Sequence, residues 1–78
     1  MGRAGKALKQ VLKDYGISQY QLAQTMGIDR STVSRWVSEE RDPLAEALYE
    51  IRAALKHLNP QAADAFIHLY LGEPFTFE

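Results

Sequence analysis

Only three residues, Gly27-Ile28-Asp29, separate two short amphipathic segments, and this constrains the chain more than any other feature of it. The segment before the gap opens at Ser18 and places Leu22, Ala23 and Met26 on one side. Ser18 and Gln21 stand at the spacing of a capping box, in which the hydroxyl and the amide side chain each satisfy the other's backbone N–H. Gly27 is a helix stop and Asp29 a good helix start. The segment after the gap runs from Arg30 to about Ser38, with Val33, Trp36 and Val37 on one stripe. That stripe is narrow, so most of this helix's circumference faces outward.

The rest of the chain reads as three more helices. Leu8, Val11, Leu12 and Tyr15 recur at i, i+3, i+4, i+7 in a first helix over about 3–15, with Lys6, Lys9, Gln10 and Lys13 on its wet side and Gly16 as its stop. Asp42-Pro43 and Asn59-Pro60 are two copies of one start signal, a polar cap before a proline at the first helical position. Leu44, Ala47, Leu48, Ile51, Leu55 and Leu58 form the stripe of the fourth helix. Ala62, Ala63, Phe66, Ile67, Tyr70 and Leu71 form that of the fifth. No segment alternates as a strand does. The expected architecture is all-α: one domain over 1–71, with the paired helices at about 18–38 and helices four and five over 43–71, then a tail over 72–78.

Composition supports this reading and removes several functions. At 78 residues and 46% apolar, the chain can form one small core. It has no cysteine, which excludes disulfide scaffolds, thiol catalysis and cysteine-based zinc sites. His57 and His68 stand eleven apart with no paired carboxylate, so neither a metal site nor any other cofactor is expected. No nucleophile triad, phosphate loop or Glu-x-x-His motif is present, and an enzyme is not expected. Nothing points to a small-molecule ligand. There is no apolar run of about 18 residues and no apolar leader, so the expectation is a cytoplasmic protein.

Charge is uneven. Residues 1–41 carry seven Lys and Arg against four Asp and Glu, a net of +3, while residues 42–78 carry a net of −4. The third helix stands out within the cationic half. Ser31, Ser34, Arg35 and Ser38 line the face opposite its apolar stripe, with Arg30 and Thr32 alongside, and there is no acid between Asp29 and Glu39. Arg30 sits in the first turn, where the helix dipole disfavours a cation. Serine and threonine are mediocre helix formers. Local rules broken without structural gain point to a functional surface. Duplex DNA fits it: short hydroxyl side chains let a helix approach the major-groove floor, and arginine bonds guanine bidentately. Two helices joined by a three-residue turn place the second in the groove while the first crosses the backbone.

Residues 17–55 resemble the Cro and phage-repressor type of helix-turn-helix, also called the xenobiotic-response-element family. The resemblance lies in Ser18-Gln19, Leu22-Ala23, Gly27-Ile28, Val33-Ser34, Trp36, Arg41, Pro43, Leu48, Ile51 and Ala54-Leu55. It implies a compact, five-helix, lambda-repressor-like domain that binds double-stranded DNA as a homodimer on a near-palindromic operator and regulates transcription. Carried over by position, it implies base contacts by Arg30, Ser31, Thr32 and Arg35. It implies phosphate contacts by Ser18, Gln19, Ser34, Ser38 and Arg41. Glu39 stands where the family usually has a glycine in a left-handed turn, and Glu40 replaces a frequent lysine; both predict a weaker binder, or one that relies on dimerisation. The broad apolar surface of Phe66, Ile67, Tyr70 and Leu71, with Phe75 and Phe77 beyond it, is the candidate dimer interface. The alternative is a helix-turn-helix interaction module, an adaptor or antitoxin-like partner without DNA binding, which the acidic half and Glu40 favour.

Overall fold

The computed structural model describes residues 3–72. Five helices follow in order: α1 (Arg3–Tyr15), α2 (Gln19–Met26), α3 (Arg30–Val37), α4 (Ala45–Leu58) and α5 (Pro60–Leu71). There is no strand among the described residues. The helix starts and stops lie close to where the local chemistry puts them. Ser18 caps α2 with both halves of the capping box: its hydroxyl accepts from the Gln21 amide at 3.0 Å, and the Gln21 side-chain oxygen accepts from the Ser18 amide at 2.9 Å. Asn59 caps α5 by accepting from the Gln61 amide at 3.0 Å, with Pro60 beginning the helix. Gly16, Gly27 and Gly72 end α1, α2 and α5 with φ between 65° and 74°.

One core holds the five helices together. Its fully buried large side chains are Leu8 and Val11 from α1, Leu22 from α2, Val33 from α3, Ile51 and Leu55 from α4 and Phe66 from α5. Each contributes on the order of 1.5–3 kcal/mol by leaving water. Because every helix supplies at least one, no helix can leave without opening the core. α5 packs on both α1 and α4, α2 packs on α3 and α4, and α1 also packs on α3. Trp36 is buried, at 6% exposure, and anchors α3 against this core. No described helix is long and apolar enough to cross a membrane.

Three expectations need correction. The Asp42-Pro43 signal does not start α4: the helix begins at Ala45, with Leu44 as an N-cap that offers no side-chain bond. The Leu44 carbonyl accepts from the Leu48 amide at 2.9 Å, and Leu44 itself is 79% exposed rather than part of the apolar stripe. The register of α4 is fixed by Ile51, Ala54 and Leu55 reaching the core, and this outweighs a local proline preference. Asp29 occupies the N-cap position of α3 but its carboxylate makes no cap bond. Phe66 is fully buried in its own domain and stacks on Tyr70 at a centroid distance of 6.4 Å, so it faces no second subunit. Ile67 and Tyr70 are half-buried and Leu71 is exposed; Phe75 and Phe77 lie outside the described residues.

Candidate nucleic-acid interface

α3 is pinned on one side and open on the other. Val33 and Trp36 hold it to the core, while Arg30, Ser31, Ser34 and Arg35 are exposed and Thr32 is half-buried. The helix itself contains no acid, and its outer face carries two guanidinium groups and three hydroxyls. Thr32 borders a shallow groove with Trp36, Arg41 and Pro43, whose other side carries the acids Asp42, Glu46 and Glu50, so the groove links the middle of α3 to the loop that follows it and to the start of α4.

Both ends of α3 are held by backbone hydrogen bonds. At its start, the Thr32 amide donates to the Asp29 carbonyl at 3.0 Å, and the Ser31 hydroxyl donates to the Asp29 carboxylate at 3.0 Å. The carboxylate thus sits at the positive end of the helix dipole beside Arg30, which offsets the unfavourable position of that cation. At its end, Glu39 takes φ 67°, the left-handed turn that glycine normally fills. The Glu39 amide donates to the Trp36 carbonyl at 3.1 Å and the Glu40 amide to the Arg35 carbonyl at 3.0 Å, which is the Schellman pattern. The Arg35 carbonyl also receives the Arg41 amide at 3.3 Å and the Ser38 hydroxyl at 3.2 Å. The loop therefore folds back onto the helix end, and it places the exposed Arg41 beside Arg35.

The start of α2 offers a second set of donors. Its capping box uses the Ser18 and Gln21 amides, and the Leu22 amide donates to the Ser18 carbonyl. That leaves the Gln19 and Tyr20 amides of the first turn without an intrahelical acceptor, at the positive end of the helix. The Ser18 hydroxyl, which accepts from Gln21, still has its own proton to donate. Ser18 is exposed and Gln19 half-buried. Sequence reasoning assigned nothing to two residues here. Tyr20 is 59% exposed and lines a groove with Gln24, Ile28, Asp29 and Arg30, at the elbow between α2 and α3. Gly5 lies under the exit turn of α3: a Cβ built there would collide with the Trp36 carbonyl and come within 3.3 Å of the Glu39 Cγ. A glycine inside a helical pattern is the signal for such a close approach.

No group of three or more His, Asp and Glu side chains that could hold a metal ion occurs among the described residues. A family model for helix-turn-helix domains matches residues 8–61, well over half of the chain. The chain belongs to the helix-turn-helix family, of the Cro and phage-repressor type. No curated protein and no solved structure is similar enough to match. The matched span takes in α2, its turn and α3 entire, most of α1, all of α4 and the beginning of α5. The family is a DNA-binding, regulatory one rather than an enzymatic one, and this helix-turn-helix domain is accordingly a binder of double-stranded DNA.

Proposed function

We propose that the domain is a sequence-specific transcription regulator that reads the major groove with α3 and binds as a homodimer on a near-palindromic operator. The observation that carries this reading is the acid-free outer face of α3, held outward by Val33 and Trp36. In this reading Arg30, Ser31, Thr32 and Arg35 contact bases. Each arginine bonds a guanine at O6 and N7, worth about 1–3 kcal/mol of discrimination. Ser31 gives its proton to Asp29, so its oxygen faces the groove as an acceptor and suits the amino group of cytosine or adenine. Ser18 and Gln19 grip one phosphate through a hydroxyl and the first-turn amides of α2. Ser34, Ser38 and Arg41 bind the strand on the other side of α3.

The C-terminal part of α5 supplies the dimer contact. Leu69 and Leu71 are 44% and 53% exposed, beside the half-buried Ile67 and Tyr70. A two-fold contact through this patch sets two copies of α3 about 34 Å apart, one turn of DNA. Selection of bound duplexes from a random pool tests the whole reading. The expected result is an enriched, near-palindromic site whose half-sites are about ten base pairs apart. Recovery of unenriched sequence overturns it.

A further inference from the structure

One groove joins the first turn of α2 to the first turn of α3. α2 supplies Tyr20, Ala23 and Gln24, which recur at i, i+3, i+4 on one side of the helix, and the turn supplies Ile28 and Asp29 ahead of Arg30. Ala23 is buried and Ile28 half-buried, whereas Tyr20 and Arg30 are exposed. An exposed tyrosine is ordinary by itself. Two observations set this one apart. Among the described residues its hydroxyl makes no hydrogen bond and its ring touches no other ring or cation, so both are open to a ligand. Its backbone lies in the turn of α2 where the Gln19 and Tyr20 amides have no intrahelical acceptor. Tyr49, at 72% exposure, lies on α4 and borders neither this groove nor the one beside Thr32.

We propose that Tyr20 is a DNA-contacting residue with two tasks: its hydroxyl donates to a phosphate oxygen next to the phosphate gripped by Ser18 and Gln19, and its ring confines the stem of Arg30 so that the guanidinium is aimed at one base pair. The assignment rests on the placement of α3 in the major groove. The hydroxyl gives its proton to a backbone phosphate whatever the base. It carries no charge, so it adds affinity without releasing a counterion. The ring is fixed by two torsions, whereas an arginine stem has many rotamers to lose. An arginine held in one rotamer cannot shift to a wrong base, so the ring sharpens the preference at the base pair that Arg30 reads.

Titration of a selected operator, its single-base variants and a scrambled duplex over a range of salt separates the two tasks. Tyr20→Phe should weaken binding to every duplex by about ten-fold, the loss of one hydrogen bond to a charged group, and leave the slope of log affinity against log salt unchanged. Arg41→Ala, by contrast, should flatten that slope by about 1. Tyr20→Ala should add a loss of about three-fold in preference at the base pair that Arg30 reads, and this extra loss should vanish in the Arg30→Ala background. Tyr49→Phe and Tyr49→Ala should bind as the unaltered chain does. Circular dichroism confirms folding, and Tyr20→Phe keeps the ring. Unchanged affinity of Tyr20→Phe, or a loss confined to the operator, overturns the phosphate contact. A base preference that Tyr20→Ala leaves intact, or an extra loss that persists without Arg30, overturns the positioning of Arg30. Should Arg30→Ala itself leave the preference unchanged, the groove placement fails and Tyr20 with it. A loss of preference in Arg30→Ala beside silent Tyr20 variants overturns the role of Tyr20 alone.

Discussion

The chain enters α3 through a turn at Gly27 and leaves it through a turn at Glu39, and the two turns share one backbone. Their φ angles are 73° and 67°. In both, the residue after the turn donates to a carbonyl five positions back: Ile28 to Ala23 at 3.0 Å, Glu40 to Arg35 at 3.0 Å. Hydrogen bonding therefore fixes the path in each case, and the side chain at the left-handed position is a separate choice. Before α3 the choice is glycine, which adopts that conformation without steric cost. After α3 it is a glutamate, whose Cβ costs about 1–2 kcal/mol there. The exit turn is also crowded, because α1 crosses beneath it at Gly5. The entry turn is relaxed and open. Strain retained on one side of the outward helix and not on the other marks the exit turn as the place where stability was given up.

Substitutions that add or remove a Cβ at these turns break the comparison most directly. Gly5→Ala should cost the most, about 1–3 kcal/mol in urea unfolding, because the new methyl meets the backbone carbonyl that holds the Glu39 amide. Gly27→Ala meets nothing within 4 Å, so its loss should be confined to the backbone conformation, about 1 kcal/mol. Glu39→Gly should act on the backbone in the opposite sense, relieving about 1 kcal/mol of left-handed strain. Equal effects of one sign at Gly27 and Glu39 would dissolve the distinction between the turns. The caps sharpen it further. Ser18→Ala should cost about 1 kcal/mol, because it removes a made cap bond. Asp29→Ala should cost less, about 0.5 kcal/mol, because its carboxylate caps no amide and gives up only the Ser31 hydroxyl bond and its place at the helix start.

Much of this molecule is legible in the sequence because its signals are local. The stripe Leu8, Val11, Leu12 marks the buried face of α1, and Ser18 with Gln21 and Gly27 delimit α2 almost to the residue. Legibility stops where a distant partner decides. Asp42-Pro43 carries the same signal as Asn59-Pro60, yet α4 starts at Ala45, since the core sets its register. A stripe on α5 cannot separate Phe66, which closes its own core, from Leu71, which faces out. Gly5 is marked in the sequence only as a glycine inside a helical pattern, and what approaches it shows once α3 is laid across it. For the outer face of α3 the sequence shows which residue types gather there, and the structure shows Arg30, Ser31, Ser34 and Arg35 exposed as expected. What they touch is a property of the complex.

The central claim is that two arginines on the outward face of one helix read bases. It is tested most directly by titrating the unaltered chain and the double variant Arg30→Ala/Arg35→Ala against a selected operator and a scrambled duplex over a range of salt. The double variant should still bind both duplexes, with affinity falling steeply as salt rises, but with most of the preference for the operator gone. An operator preference that is unchanged in the double variant would contradict the placement of α3 in the groove.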